Sequence, residues 1–111
     1  MTIWVDGDAL PADAKTILFR AAERVRVPLV LVANKLLKVP PSEFLSFMLV
    51  GAGADVADTW IVDRVVTGDL VVTADIPLAS RVVGKGAQAL DPRGGMYTDQ
   101  NVGERLAWGR D

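Results

Sequence analysis

The acidic residues of this chain stand where metal chemistry would need them. Asp6 and Asp8 form the run Asp6-Gly7-Asp8, directly after the apolar stretch Ile3-Trp4-Val5. Asp58, with Asp55 and Thr59 beside it, opens a segment of helical period. Asp75 follows the apolar run Leu70-Val71-Val72-Thr73 after one residue. Clustered carboxylates repel one another; a divalent cation removes that penalty and takes oxygen ligands at about 2.0–2.6 Å. Such a centre activates water and steadies the oxygens of a reacting phosphodiester. The composition leaves few other routes to catalysis. Of 14 acidic residues all but Glu23, Glu43 and Glu104 are Asp, and the chain has no His and no Cys. That excludes thiolate nucleophiles, disulfides, zinc fingers, iron–sulfur clusters, a His base and a Ser-His-Asp triad. An all-oxygen site selects Mg2+, Mn2+ or Ca2+.

Taken singly, each of these Asp reads more readily as a helix cap, worth on the order of 1 kcal/mol, or as a charge favoured by the helix dipole. Asp75-Ile76-Pro77 looks like a cap followed by a first-turn Pro. The set argues otherwise. Capping needs one Asp per helix, does not call for Asp6-Gly7-Asp8, and accepts Ser, Thr or Asn as well. Asp13, Asp63, Asp69, Asp91, Asp99 and Asp111 are weaker candidates. Asp13 falls in a first helical turn, and Asp69 precedes a strand, at the wrong end of a sheet.

The elements that must position these groups follow from the apolar pattern. A strand over 3–5 leads to a helix over 11–25, with Ile17, Leu18, Ala21, Ala22 and Val25 on its apolar face. A second strand covers 28–32, a connector 34–42, and a further strand 44–50. Gly51-Ala52-Gly53 breaks the chain before a helix over 55–66. The run 70–73 is a strand, 78–85 a helix ended by Gly86, and 88–90 a short strand. Asp91-Pro92-Arg93-Gly94-Gly95 is a loop, and Thr98 is the N-cap of a last helix to Leu106. Strands alternating with helices predict βαβ units, a mostly parallel sheet and a three-layer α/β sandwich. The 111 residues make one domain. In such folds the working crevice lies at the carboxyl ends of the strands, where Asp6, Asp8, Asp58 and Asp75 would converge.

The net charge is −2 and the pI about 5.0, so the chain is not a globally basic nucleic-acid binder. A local patch remains open, since eight of its 12 cationic residues are Arg. Asn34, Lys35 and Lys38 follow the second strand, and Arg81 and Lys85 lie i, i+4 on one helix. These five are the candidates for holding phosphates beside the acidic site. Arg20 and Arg24 read as a solvated face, and Arg93 lies in a loop. Trp4 and Trp60 read as core, and Trp108 as an exposed ring for a base or a second subunit. No run of about 18 apolar residues exists and the N-terminus lacks signal-peptide features, so no membrane span and a cytoplasmic location are expected.

Asp6-Gly7-Asp8 also matches the nucleophile motif of haloacid-dehalogenase-like phosphatases. That fold wants a later Gly-Asp pair at the carboxyl end of a strand, whereas Gly68-Asp69 stands at the amino end. A receiver domain needs a Lys ending a late strand, and 88–90 offers none. Gly51-Ala52-Gly53 lacks the third Gly of a dinucleotide fingerprint.

The segments 3–11, 54–62 and 68–79, together with Val32-Ala33-Asn34, Asp91-Pro92-Arg93-Gly94 and Tyr97-Thr98 followed by Asn101, resemble the YaiI/YqxD family of bacterial proteins over nearly the whole chain. That family is counted among PIN-like domains, relatives of flap endonucleases and PIN ribonucleases. The resemblance implies a PIN-like fold over 1–111. It also implies Mg2+ or Mn2+ held by Asp6, Asp8, Asp58 and Asp75, and hydrolysis of phosphodiesters in RNA or single-stranded nucleic acid. Asp6, Asp58 and Asp75 would be its catalytic residues. Two departures stand out: Leu10 where members tend to have Cys, and Thr59 where they tend to have a second Asp. Members also run on beyond this length, which leaves room for a C-terminal tail. The rival expectation is a non-catalytic PIN-like module that binds RNA or protein, and a homodimer fits either.

Overall fold

A computed structural model describes residues 1–53 and 55–102. Its strands are β1 (Ile3–Asp6), β2 (Leu29–Ala33), β3 (Leu45–Leu49), β4 (Leu70–Val72), β5 (Gln88–Leu90) and β6 (Met96–Tyr97). Its helices are α1 (Ala12–Val25), α2 (Val56–Arg64) and α3 (Ile76–Gly84), with one 3-10 turn at Gly7–Ala9. A further helix opens at Asp99, behind a reciprocal cap. Asn101 N–H donates to Thr98 Oγ1 (3.1 Å) and Thr98 N–H to Asn101 Oδ1 (2.7 Å). Its expected course to Leu106, and Trp108, lie outside the described residues. No helix of the described residues is long and apolar enough to cross a membrane.

The strands form one sheet in the order β3-β2-β1-β4-β5-β6, parallel except for β6, which pairs antiparallel with β5. The chain moves outward from β1 to β2 and β3, then starts again at β4 on the other side of β1. Crossovers between parallel strands are right-handed, so reversing the direction of travel puts the later helices on the opposite face. The result is three layers: α1 on one face, α2 and α3 on the other. The side chains follow the period of two that a sheet covered on both faces requires. Ile3, Val5, Leu29, Leu31, Leu45 and Val72 pack with Phe19 and Ala22 of α1. Val32 and Val71, with half-buried Trp4 and Val30, pack with Ile61 of α2 and Leu78, Ala79 and Val82 of α3. This is the expected α/β sandwich, and the 44–50 segment is the strand it was read as.

The face of α1 differs from the expectation. Phe19 is buried, while Ile17 is 67% exposed and Val25 61%. Phe19 offers more apolar area than Ile17, and the helix rotates to bury the larger side chain. No glycine ends α1. Arg26 takes the left-handed conformation (φ 58°), and Val27 N–H donates back to Ala22 O at 3.0 Å. Trp4 and Trp60 meet edge to face, with centroids 5.7 Å apart, and the Arg64 guanidinium lies 3.9 Å over the Trp60 ring.

Asp69 stands at the amino edge of the sheet, as its place before β4 implied, and is buried there as a structural anchor. It accepts hydrogen bonds from Thr2 N–H (3.0 Å), Trp4 Nε1 (3.0 Å) and Val66 N–H (3.1 Å). Burial pushes its carboxyl up, but the bonds from Trp4, Thr2 and Val66 outweigh burial and hold it below the usual range.

Candidate acidic metal site

The strand order reverses between β1 and β4, and a doubly wound sheet has its crevice outside the carboxyl ends of such a pair. Asp6 is the last residue of β1, and Asp75 stands three residues past the end of β4. Asp58 comes from the first turn of α2, which packs over the same end of the sheet. Asp6, Asp58 and Asp75 each present a carboxylate oxygen, and the three oxygens lie within 4.8 Å of one another.

Each carboxylate is placed by a specific device. Asp6 is only 4% exposed, and its Oδ2 accepts a bond from Thr73 Oγ1 at 2.9 Å. The Thr73 hydroxyl in turn accepts from Asp75 N–H at 2.9 Å. A buried hydroxyl therefore ties the ends of the two central strands together. Asp75 caps α3, accepting Leu78 N–H on Oδ1 at 3.1 Å, with Pro77 in the first turn. The capping and metal-binding readings of Asp75 are compatible, because a carboxylate has two oxygens and about four lone-pair sites. Asp58 caps nothing: the N-cap position of α2 belongs to Asp55, which makes no side-chain cap bond.

Gly7 explains the spacing of Asp6 and Asp8. A Cβ there would sit 2.9 Å from Leu31 Cδ1 and 3.1 Å from Val32 O, so only glycine lets the turn press against β2. Asp8 is exposed and accepts Asn34 N–H on Oδ2 at 2.9 Å, bridging the ends of β1 and β2. Asp8, Ala9, Asn34, Gly53 and Ala57 join the three clustered Asp in lining a cleft of about 450 Å3.

The electrostatics are those of carboxylates forced together. Burial raises the Asp6 carboxyl, with the charges of Asp75 and Asp8 adding to it and the Thr73 bond opposing. Asp58 is pushed up to about 6, by burial first and then by the charges of Asp75 and Asp6 and a hydrogen bond shared with Asp75. The N-terminal turn of a helix would by itself lower this carboxyl, so burial and the neighbouring charges together outweigh the dipole. A divalent cation would reverse this balance, and an all-carboxylate donor set suits Mg2+ or Mn2+.

The remaining candidates divide. Asn34 lines the cleft, and exposed Lys35 follows it. Lys38 lines a different groove, beside Arg20 and Glu23 of α1. Arg81 is in the last turn of α3, and the Lys85 ammonium donates to Val62 O of α2. Lys85 is the C-cap of α3, at the opposite end of the helix from its N-cap Asp75, and does not line the acidic cleft. Of the two family departures, Leu10 is buried in the α1-side core, and Thr59 is exposed in a groove on α2 with Trp60, Asp63 and Arg64. Neither lines the acidic cleft. Sequence reasoning passed over Thr73; its signal was a single hydroxyl closing an apolar strand two residues before Asp75.

Comparison with known proteins agrees with this architecture. The chain is 60% identical over 104 residues to a UPF0178 protein of Shewanella sp. (strain MR-4), covering 94% of this chain and 69% of that one. Its fold is similar to the crystal structure of Rae1 (YacP) from Bacillus subtilis in a W164L mutant form. That match has a TM-score of 0.52 at 17% identity, over 96% of this chain and 79% of that chain. Residues 4–110 match the family model described as "Uncharacterized BCR, YaiI/YqxD family", and the chain belongs to that family.

Proposed function

We propose that this chain is a Mg2+- or Mn2+-dependent nuclease that hydrolyses phosphodiesters of RNA or single-stranded nucleic acid. The observation that carries the reading is the convergence of Asp6, Asp58 and Asp75 oxygens within 4.8 Å at the switch point of the sheet. The resemblance to PIN-like domains supports the same chemistry. When bound, the cation would supply positive charge against the phosphodiester oxygens and acidify water.

The residues of the chain do the rest. Thr73 holds Asp6 in one orientation, and capping α3 fixes Asp75, so two of the three ligands are set before any cation arrives. Asp8, tied to Asn34 N–H, adds a fourth carboxylate at the rim. Asp58, whose carboxyl is pushed up to about 6 in the metal-free cleft, would give up its proton on binding a cation and complete the ligand set, so metal uptake would release a proton near neutral pH. The cleft lining holds no Lys or Arg among the described residues, so it offers carboxylates alone for acid–base work. Thr59, where family members tend to have a second Asp, lines a groove on α2 and not the acidic cleft, so Asp6, Asp8, Asp58 and Asp75 are the ligands this reading relies on.

The test has two stages. Mn2+ should raise the melting temperature of the wild type and leave Asp6→Asn and Asp75→Asn unmoved; no metal-dependent shift in the wild type sinks the site. Cleavage of a mixed RNA pool should then require the same residues. Equal activity in wild type and variants would remove catalysis from this cleft.

A further inference from the structure

The acidic cleft has no cationic side chain among its described residues with which to hold the flanking phosphates of a polyanionic substrate. Its described lining carries four Asp and no Lys or Arg, so a bound metal ion would meet the scissile phosphate there, and side-chain charge for the flanking phosphates has to come from beside it. On the α1 side it adjoins a second cleft of about 540 Å3; Ala9 lines both. Ala74, between Thr73 and Asp75, lines this second cleft and a third one next to it, and Arg93 lines the same two. Resting on the nuclease reading above, the geometry points to Arg93 as the residue that holds a backbone phosphate of single-stranded nucleic acid, on a path that crosses Ala74 into the cleft between α1 and the 91–95 loop.

The loop is built to hold Arg93 still. Asp91 N–H donates to Gly95 O at 2.7 Å and Gly94 N–H to Asp91 O at 2.8 Å, closing a tight turn. Arg93 N–H donates to Asp91 Oδ1 at 2.7 Å. The Tyr97 hydroxyl then shares its one proton between Thr73 O (3.3 Å) and Asp91 Oδ2 (3.2 Å). Thr73 is the residue that also fixes Asp6. Tyr97 is thus a positioning residue that ties the Arg93 loop to the strand end carrying the acidic cluster.

The rest of the cleft fits a nucleotide. Pro11, Pro92 and the exposed Ile17 give it an apolar wall for a base, and account for an isoleucine left outside the core. Two carboxylates also line it, and both are engaged by the backbone: Asp13 Oδ1 accepts Ala14 N–H at 2.9 Å, and Asp91 accepts Arg93 N–H. Arg93 itself is exposed, with a guanidinium suited to bidentate contact with phosphate.

The test separates binding from cleavage. A fluorescein-labelled oligouridine is titrated with the protein in Ca2+, which takes oxygen ligands without the tight octahedral geometry of Mg2+. Anisotropy is read across a range of salt. Losing one phosphate contact to a single strand lowers the log–log salt slope by about 0.7, which is about fivefold weaker binding near 0.1 M salt. Arg93→Gln should show that loss with its melting temperature unchanged, and Arg93→Lys should keep the wild-type slope. A wild-type slope in Arg93→Gln, or no binding of the oligonucleotide by the wild type, overturns the assignment. The acidic site is judged separately by its Mn2+ melting shift, which does not involve Arg93.

Discussion

Replacing Asp58 by Asn should stabilise the metal-free protein and abolish its response to metal. Asp58 lies within 4.8 Å of the Asp6 and Asp75 oxygens. Two unit charges at that separation repel by about 3 kcal/mol at an effective dielectric of about 20, and by about 0.9 kcal/mol in water. The rise of the Asp58 carboxyl from 3.8 to about 6 corresponds to an upper bound of about 3 kcal/mol. Asp58 is half-exposed, and solvent screening brings the expected cost to about 1–2 kcal/mol. The sign is fixed by linkage. A carboxyl whose folded value is raised binds its proton more tightly in the native state, so its penalty is absent below about pH 4, grows towards pH 6 and is complete above it. Thermal melts in EDTA should therefore find Asp58→Asn and wild type alike near pH 4 once other groups are controlled. By pH 7.5 the variant should be the more stable by about 5–10 °C. Saturating Mn2+ should reverse the order, because the wild type gains binding free energy that the variant lacks. An Asp58→Asn protein less stable than wild type in EDTA, by the same margin at both pH values, would refute the electrostatic account of the cluster.

Thr73→Val keeps the shape of the buried side chain and removes the hydroxyl between Asp6 and Asp75. Mn2+ affinity, read by calorimetry, should fall about tenfold or more, as losing a group that orients a ligand does. Gly7→Ala places a methyl group 2.9 Å from Leu31 Cδ1 and 3.1 Å from Val32 O, so urea unfolding should show a loss of about 1–3 kcal/mol. Asp69→Ala leaves Trp4 Nε1 and the Thr2 and Val66 amides without their acceptor and should cost about 2–4 kcal/mol by tryptophan-monitored unfolding. The Asp69 contribution is lost as pH falls through its lowered folded value, so the gap between variant and wild type should close in strong acid.

Local pattern carried most of the fold. Uninterrupted apolar runs at 3–5, 28–32 and 70–72 announce strands covered on both faces, and Asp75-Ile76-Pro77 announces a capped helix, because these signals are written in adjacent residues. The turn of α1 was less legible. Ile17 and Phe19 are both apolar, and only the space under the helix decides which is buried. The left-handed Arg26 and the two-residue β6 carry no strong local signal either.

The residue types alone determined which chemistry this protein is able to do: with no His or Cys and a surplus of Asp, any metal site must be made of oxygen. Sequence also placed Asp6, Asp8, Asp58 and Asp75 at strand ends and helix starts. Tertiary structure decided which of them meet. Putting β4 beside β1 brings together residues more than 50 positions apart, sets Thr73 between Asp6 and Asp75, and sends Asp69 to the opposite edge as an anchor. It also separated the cations that sequence had grouped, leaving Lys38 in a groove beside α1 and Lys85 on Val62, while Arg93 stands beside Ala74. Distances across a sheet depend on strand order, and strand order is a property of the whole packed chain.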